Sequence, residues 1–417
     1  MLGNKIVKGL AVTAGLALTA GLIVAPSSAA TKEIVIWADE TRGPKLTTLF
    51  KNNPRAVAGY QVKVTTYSSF SALKDAFDKS TIGSGPDIVY GASDWTASNV
   101  KNGKFAPISV PGSFKARYSK SDLDLLSRDG KLYGVPLDIN APALAYNPAL
   151  VRGKPGTFGE MVDFYLANKS KYDFGMCITD GGIAWAGHGL FSALGGGAYQ
   201  FKNGQIDKTN PFDKAALTAN IKRFLLDSSG KSNGFLKNIN GGVCKTQFAA
   251  GKVPFAIVGQ WEISTYETAK IRPALMAVPG PTAGSSGKFL GGVSAAFLTS
   301  NAKRNGVEAG AKSLLTRFIG STQGQLKYQQ LEKRASAEKG AARSQIGAWT
   351  KAFAQALSGN TVPEVGSVLG NNAGGSSYWD AAGNFWDAIL AGKDVATEVD
   401  KFHTLLKKNL EAGAKDL

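Results

Sequence analysis

An acidic residue and a tryptophan stand side by side at Asp94 and Trp95, directly after a glycine-rich turn and the apolar run at residues 88–90. This order predicts a loop, a buried strand and then polar groups at the strand's carboxyl end, where open α/β sheets bind their ligands. A carboxylate accepts hydrogen bonds from hydroxyl groups, and a flat indole stacks on the C–H face of a pyranose. The pair therefore suits a sugar; the structural alternative is a capped loop with a packing tryptophan.

Three further tryptophans occupy similar positions along the chain. Trp185 and Trp261 each follow a predicted strand, and Trp379 opens a predicted helix after a loop. Any one of these rings could simply pack in a core, since each can bury roughly 150–250 Å². Together with Trp95, however, their matching positions favour an aromatic-lined cleft that serves as a binding site.

Catalysis would need carboxyl groups in a defined relation to each other. Glycoside hydrolysis uses two of them, about 5–10 Å apart across the scissile bond. Asp94, Asp180 and Glu262 could supply such a pair, but no motif orders them as acid and base, and each also suits the role of hydroxyl acceptor. The sequence predicts a protein that is not an enzyme, with a secreted glycosidase as an alternative.

Metal ligands are sparse in this sequence. The chain has two histidines, His188 and His403, and two cysteines, Cys177 and Cys244, without a Cys-x-x-Cys spacing. Protein zinc sites use clustered Cys and His ligands, so we expect neither a metal nor a cofactor. In an exported chain the two cysteines could form one disulfide that closes a long loop, or they could remain two buried thiols.

The first 30 residues predict export. Lys5 and Lys8 precede an apolar stretch that ends in Pro-Ser-Ser-Ala-Ala, a pattern typical of a secretory signal peptide cleaved after Ala29 or Ala30. No cysteine stands at this cleavage point, so a lipid anchor of the bacterial lipoprotein kind is not expected. We therefore expect a periplasmic or extracellular protein.

The elements that position these residues begin with an alternation of strands and helices. Strands are predicted at residues 33–37 and 60–67, helices at residues 45–53 and 70–79, and a further strand ends at Val89. Apolar residues have the helical spacing of three or four in the predicted helices, whereas they alternate with polar residues or form a short continuous run in the predicted strands. The order strand, helix, strand, helix, strand predicts a doubly wound α/β half-sheet.

The length of the chain predicts more than one core. Cleavage after residue 30 leaves 387 of the 417 residues, beyond the size at which a single core tends to divide. We expect an N-terminal lobe from residues 31–139 and 290–345, and a C-terminal lobe from residues 140–289 and 346–417. A glycine-bearing strand at residues 290–298 would carry the chain back to the first lobe.

The net charge is strongly positive. Without Lys5 and Lys8 it falls from +17 to +15, and the basic residues are spread along the sequence. Such a charge is compatible with acidic partners. A basic stripe with interleaved aromatic residues, as nucleic acid binding needs, is not present in the sequence, so we expect a solvated basic face and no nucleic acid partner.

Eight sequence motifs follow one another across nearly the whole mature chain. In chain order they are IVIW, GSGPDIVYGASDW, NGKFAPI, DGKLYGVPLDINAPALAYNPAL, ALGGGAY, QFAAGKVPFAIVGQW, GGVSAAFL and SYWDAAGNFWDAILAG. In this order and spacing the chain resembles the extracellular sugar-binding proteins of ATP-driven importers, in particular the maltose- and maltodextrin-binding family. The resemblance implies a type II periplasmic-binding-protein fold with two doubly wound lobes joined by a hinge. It also implies a monomer that closes on an oligosaccharide or glycoside and delivers it to the membrane permease of an ABC importer.

The resemblance also assigns roles to individual residues. Arg42 stands where the family has a basic side chain that reaches sugar hydroxyls, and Asp94 stands where it has an acceptor carboxylate. Trp185, Trp261 and Trp379 match the family's stacking aromatic residues. The full set of expected ligand-binding residues adds three polar or aromatic neighbours: Glu40, Trp95 and Asn140.

Four positions depart from the family's pattern. Asn140 stands where maltose binders have a carboxylate, Trp95 where a basic residue occurs, Gly91 where a tryptophan occurs, and Gly383 where a second arginine occurs. These departures weaken the case for maltose itself and leave carbohydrate as the ligand class. The alternative is a receptor of the same fold for a non-sugar or anionic solute, such as a polyamine, a metal chelate or a phosphorylated sugar.

Overall fold

The computed structural model describes residues 32–202, 205–344 and 347–413, and the predicted signal peptide lies outside them. These residues form a mixed α/β protein with two main sheets. Of the helices within this part of the chain, none combines the length and the hydropathy that crossing a bilayer requires.

The larger sheet has six strands and begins with the predicted alternation of strands and helices. Its strands are β1 (Lys32–Ala38), β2 (Tyr60–Thr66), β3 (Ile88–Ala92), β6 (Gly134–Asn140), β13 (Phe289–Leu298) and β14 (Thr361–Pro363). β1 pairs in parallel with β2 and β3, whereas β13 runs antiparallel to both β3 and β6. Every residue of β3 is buried, as expected for a strand covered on both faces.

The smaller sheet has four strands in the order β12, β7, β11, β8. They are β7 (Ala143–Tyr146), β8 (Met176–Ile178), β11 (Phe255–Val258) and β12 (Ala274–Met276). β11 pairs in parallel with β8 and antiparallel with β7. Two short hairpins complete the strands: β4 (Ser127–Arg128) with β5 (Lys131–Leu132), and β9 (Phe201–Lys202) with β10 (Gln205–Ile206).

Helices connect and cover these strands. In chain order they are α1 (Gly43–Asn52), α2 (Phe70–Lys79), α3 (Trp95–Lys101), α4 (Gly112–Lys115), α5 (Lys120–Leu125), α6 (Phe158–Ala167), α7 (His188–Ala193), α8 (Lys214–Leu225), α9 (Gly241–Ala249), α10 (Ile263–Thr268), α11 (Asn301–Arg304), α12 (Glu308–Ser313), α13 (Thr322–Glu332), α14 (Lys339–Arg343), α15 (Ala348–Leu357), α16 (Gly366–Leu369), α17 (Tyr378–Leu390) and α18 (Val395–Gly413). Short helical segments of other types occur at Gly182–Ala186, Gln260–Glu262 and Leu314–Ile319.

Side-chain caps explain where several of these helices begin. Ser69 accepts a hydrogen bond from the Ala72 amide before α2, and Thr157 accepts one from the Glu160 amide before α6. Such caps satisfy amide donors that the first helical turn leaves unpaired. The helices predicted at residues 45–53 and 70–79 are confirmed as α1 and α2, with bounds that agree to within two residues.

The apolar side chains gather in two separate hydrophobic cores. The first core contains Ile36, Phe77 and Phe297, and the second contains Phe191, Phe255 and Trp386, among many others. Strand β13 contributes side chains to both cores. Phe289 and Leu290 belong to the second core, and the apolar residues from Val293 onward belong to the first. The division into lobes at the predicted boundaries stays a prediction.

One disulfide bond joins Cys177 of β8 to Cys244 of α9, and both residues are fully buried. The alternative of two free thiols is therefore wrong for this structure. The bond closes a loop of 67 residues, for which chain entropy predicts a stabilisation of roughly 3–5 kcal/mol.

Candidate functional site

A cavity of about 610 Å³ collects most of the predicted site residues. Seven of the eight residues expected to bind ligand line it: Glu40, Arg42, Asp94, Asn140, Trp185, Trp261 and Trp379. Its lining also includes polar residues that were not expected to bind ligand, among them Asp39, Asp180, Arg334 and Glu364. The volume falls within the range usual for small-molecule sites.

Two tryptophans form an aromatic wall of this cavity. The rings of Trp185 and Trp261 are stacked, with centroids 6.0 Å apart and planes inclined by 26°. The Trp185 indole donates a hydrogen bond to Glu364 Oε1 at 2.5 Å, and the Trp261 indole donates one to Asp180 Oδ2 at 2.7 Å. Both ring edges are therefore held in place, and both rings are only half-buried.

Glycines let these two rings lie directly against the backbone. A Cβ atom on Gly181 would lie 2.3 Å from the Trp185 ring, and one on Gly259 would lie 2.2 Å from the Trp261 ring. Gly181 also has a φ of 77°, in the left-handed region that glycine tolerates best. Each ring follows the carboxyl end of a strand, β8 for Trp185 and β11 for Trp261.

Trp95 requires a correction, because it is a core residue rather than a part of the cavity. Only 3% of it is exposed, and its ring packs against Phe70 and Phe77 at centroid distances of 5.3 and 6.1 Å. It opens α3, and Gly91 makes room for the ring. Burial among these apolar rings removes a large aromatic surface from water.

Arg42 lines the cavity, but most of its guanidinium N–H groups donate to other side chains of the protein. Its guanidinium donates to Asp39 at 2.7 Å, Ser294 at 2.6 Å, Tyr328 at 3.1 Å and Asp138 at 3.4 Å. These contacts use four of its five N–H groups. Burial alone would raise the pKa of Asp39, but the charges of Arg42 and Arg334 lower that pKa well below its ordinary value.

The pKa values of the Asp94 and Glu364 carboxyl groups are raised, whereas that of Asp39 is lowered. Burial raises the pKa of Asp94 to about 6. Burial, and then the charge of Asp94, raise the pKa of Glu364 to about 8. Glu364 is only 4% exposed. Both pKa values rise because burial opposes the charged form of each carboxyl group.

Glu364 and Asp180 were not expected to bind ligand, although a signal for each existed in the sequence. Glu364 directly follows β14, just as Asp94 follows β3 by two residues, and Asp180 follows β8. Strand β14 has three residues, too short to stand out by alternation. The sequence offers Asp180 both as a catalytic carboxyl and as a hydroxyl acceptor, without placing it among the expected ligand-binding residues.

Glu40 is exposed at the rim of the cavity. Its pKa is raised by partial burial and by the charges of Asp39 and Asp180. Because Asp39 follows β1 and Asp180 follows β8, carboxyl groups from the carboxyl ends of both sheets act on this one side chain.

Glu262, considered above as a catalytic carboxyl, does not line the cavity. It is 2% exposed and accepts hydrogen bonds from Thr179 at 2.8 Å and from Tyr266 at 2.5 Å. Lys245 lies 3.5 Å from it. These partners give it a structural role within the second core. Among the residues that the structure describes, no three His, Cys, Asp or Glu side chains cluster so as to hold a metal ion.

A second cavity of about 570 Å³ differs in its lining. It is formed by Lys154, Leu275, Met276, Gln355 and Asn360, together with the segments around Gly156 and Gly284. None of the described residues that line it is aromatic, and Lys154 is its one charged side chain. It therefore lacks both the stacking faces and the paired acceptors of the larger cavity.

A family model described as bacterial extracellular solute-binding protein matches residues 50–356, well over half of the chain. The chain therefore belongs to this family of extracellular solute-binding proteins.

Named relatives are similar over different shares of its length. A maltooligosaccharide ABC transporter solute-binding lipoprotein of Streptococcus pneumoniae strain R6 is 23% identical over 434 aligned residues, which cover 99% of this chain and 96% of the relative. The galactooligosaccharide-binding protein of Bacillus subtilis strain 168 is 24% identical over 270 residues, covering 61% of this chain and 62% of the relative. A maltotriose-binding protein of Pyrococcus abyssi is 26% identical over 200 residues, covering 45% of this chain and 41% of the relative.

Proposed function

We propose that this protein captures an oligosaccharide in the larger cavity and delivers it to the membrane permease of an ABC importer. The observation that carries the proposal is the stacked pair of Trp185 and Trp261, whose ring edges are held by Glu364 and Asp180. Pyranose rings present apolar C–H faces that stack on such indoles. The relatives named for maltooligosaccharide, galactooligosaccharide and maltotriose support the same class of ligand.

Polar side chains around the tryptophans suit the hydroxyl groups of a sugar. Glu40 and Asn140 line the cavity beside the aromatic wall. Arg42 keeps one N–H beyond those its internal partners use. A carboxylate accepts and a guanidinium donates hydrogen bonds that are stronger than neutral ones. A sugar held between them would be oriented as well as stacked.

Capture would proceed by closure of two lobes. Each hydrophobic core would act as the centre of one lobe, with strand β13 and the chain near Asn140 as crossings between them. A solute that touches residues of both lobes binds the closed form more tightly, and this difference in affinity shifts the population toward closure. The permease would then recognise the closed shape of a monomer.

Export by the predicted signal peptide would place the protein in the periplasm or outside the cell. There the solute would be bound and released unchanged, without a chemical step and without a cofactor. The larger cavity offers the carboxyl groups of Asp94 and Asp180, but Asp180 accepts hydrogen bonds from the Trp261 indole and the Gly181 amide. A side chain tied in this way is suited to positioning a ring rather than to transferring a proton.

An anionic solute is less well supported as the ligand. The two guanidinium groups in the cavity lining belong to Arg42 and Arg334. Both are engaged internally, Arg334 with Asp138 at 3.6 Å, with Glu332 at 3.4 Å and with Thr41 at 2.7 Å. The two positive charges in the lining of this cavity are therefore already paired with carboxylates.

Calorimetric titration of the purified chain tests the proposal. Neutral oligosaccharides would be compared with inorganic phosphate, a sugar phosphate and spermidine. We expect binding of a neutral or amino oligosaccharide that Trp261→Leu weakens at least tenfold, a loss of about 1.4 kcal/mol.

The matched control is Trp37→Leu, since Trp37 is also half-buried but packs on Tyr67 outside the cavity lining. Its effect on affinity should stay within twofold. Equal losses for the two variants, or binding of phosphate alone, would overturn the proposal. Mass spectrometry of the recovered sugar should find it intact, and breakdown products would point to a glycosidase instead.

A further inference from the structure

The larger cavity is acidic, although the protein is strongly basic. The chain carries a formal charge of +17. The cavity lining, in contrast, has five carboxyl side chains, those of Asp39, Glu40, Asp94, Asp180 and Glu364, and two guanidinium groups. Both guanidinium groups already have internal partners. The cavity lining is therefore richer in acidic than in basic side chains.

Within this lining, Asp94 and Glu364 form a neighbouring pair. The backbone around Gly366, two residues after Glu364, lies against Asp94, so that a Cβ atom on Gly366 would be 3.2 Å from the Asp94 carbonyl oxygen. The charge of Asp94 acts directly on Glu364. Because one side chain follows β3 and the other follows β14, the sheet brings them together from positions 270 residues apart in the sequence.

One oxygen of each side chain in this pair has no hydrogen-bond partner among the described residues. Glu364 is 96% buried, and Oε1 accepts the indole N–H of Trp185. Among the described residues no donor forms a hydrogen bond with its other oxygen, Oε2. Asp94 Oδ1 is shielded from solvent and likewise has no hydrogen-bond partner. A buried acceptor without a donor is costly unless a ligand supplies one.

The surroundings of the pair do not provide a counter-ion. Lys74 is the cation that acts on Asp94, but it forms an ion pair with Asp78 at 2.5 Å and is half exposed. Near Glu364 lies Tyr199, whose hydroxyl group accepts a hydrogen bond from the Val365 amide and donates one to the Pro363 carbonyl. The pair is thus two carboxyl groups in the cavity lining beside a half-exposed indole, and neither forms an ion pair with any residue that the structure describes.

We propose that the Asp94–Glu364 pair binds a protonated amino group, and that the solute is an oligosaccharide containing amino sugars. This inference rests on the proposed function and narrows its ligand class. An ammonium group has three donors and one positive charge, which match the unused acceptors and the missing cation. The Trp185 ring, fixed by Glu364, would hold the pyranose face while the amine reaches the two carboxylates.

Three β-linked tetramers that differ only at carbon 2 of each sugar unit test the inference. Tetramers of glucosamine, N-acetylglucosamine and glucose carry an amine, an acetamide and a hydroxyl group at the same position. We expect the glucosamine tetramer to bind at least tenfold more tightly than either neutral tetramer. Glu364→Gln and Asp94→Asn should each reduce this preference severalfold. Glu267→Gln, which changes a half-exposed carboxyl outside the cavity lining, should leave it unchanged.

Proton release gives a second readout on the unaltered chain. Glu364 holds its proton at about pH 6.5, and an ammonium group beside it should drive that proton off, in part onto any amine that was neutral in solution. Titrations in buffers of different ionisation enthalpy should detect release of up to about one proton with glucosamine tetramer and none with the acetylated form. Glu364→Gln should remove most of the release, because Asp94 is only partly protonated at this pH.

The outcomes separate this inference from the proposed function. If a neutral oligosaccharide binds as tightly as the glucosamine tetramer, or if spermidine binds more tightly than it, the inference is wrong. If neutral oligosaccharides bind and the amine does not, the proposed function stands alone. If no oligosaccharide of either kind binds, the proposed function fails and the inference fails with it.

Discussion

Two carboxyl side chains in the lining of one cavity, those of Asp39 and Glu364, differ in how far the protein itself compensates their charge. Asp39 accepts hydrogen bonds from the Thr41 and Arg42 amides, each at 2.9 Å, and forms an ion pair with Arg42 at 2.7 Å. Glu364 receives one indole N–H. The first carboxylate is compensated by the protein itself, whereas the second is left for something else to compensate. The difference separates a group that holds the fold from a group that is free to meet a solute.

The pKa values record this difference. Asp39 has a pKa well below its ordinary value because of the nearby guanidinium groups, despite its burial. Glu364 has a pKa of about 8 because burial and Asp94 oppose its ionisation. Ionisation therefore favours folding at Asp39 and opposes it at Glu364.

Removal of the Arg42 guanidinium should have the largest effect on stability. Arg42→Met removes the close cation of Asp39 and leaves Asp138 with Arg334 alone at 3.6 Å, and breaking a buried ion pair from one side costs about 3–5 kcal/mol. Urea unfolding at neutral pH measures this loss in the free energy of unfolding.

Lys120→Met is the matched control, because its ion pair with Asp124 is exposed and such pairs contribute little. It should leave the unfolding midpoint unchanged. Equal effects of the two substitutions would show that the Arg42 network does not hold the fold.

A pair of tryptophans sharpens the contrast between core and cavity. Trp95→Ala removes a ring that is 3% exposed and should lower the free energy of unfolding by about 3 kcal/mol or more. Trp185→Ala removes a half-buried ring and should cost roughly half as much, while abolishing binding of the oligosaccharide. Unfolding and calorimetric titration of both variants measure the two quantities. The reverse pattern would place the binding surface at Trp95.

The smallest effect on stability depends on pH. Glu364 binds its proton more tightly in the folded than in the unfolded chain, so its contribution to stability falls as pH rises from about 4.5 to about 8. Glu364→Gln removes this contribution and keeps an oxygen that can accept the Trp185 N–H.

The variant should therefore be more stable than the unaltered chain at pH 9, by roughly 1–3 kcal/mol, and the difference should vanish near pH 4. Thermal unfolding across this range measures it. Asp39→Asn should show the opposite sign, with a loss at neutral pH that disappears on acidification below its ordinary pKa of 3.8. Parallel pH profiles for the two variants would contradict the contrast between the two carboxyl groups.

The sequence predicted the elements that carry the site better than it predicted which side chains face the cavity. The rule that polar groups follow the carboxyl ends of strands found Asp94, Trp185 and Trp261. It failed for Trp95, because whether a residue just past a strand turns inward depends on α2, which supplies Phe70 and Phe77. That contact is tertiary and has no local signature.

For the same reason, the sequence could not predict that Arg42 uses most of its N–H groups in hydrogen bonds within the protein. Its partners Ser294 and Tyr328 lie 252 and 286 residues further along the chain. Only the folded sheet, with β13 next to β3, brings them to one place. Glu364 was overlooked because its strand, β14, has only three residues, so neither length nor alternation marks it.

Hydrogen exchange with and without the oligosaccharide that binds most tightly locates the solute most directly. Binding in the larger cavity should slow exchange of backbone amides at residues 180–186, 259–262 and 364–366, which carry Trp185, Trp261 and Glu364. Residues 279–286, beside the second cavity, should exchange at an unchanged rate. Protection of residues 279–286 without protection of the tryptophan segments would contradict the assignment of the larger cavity as the sugar site.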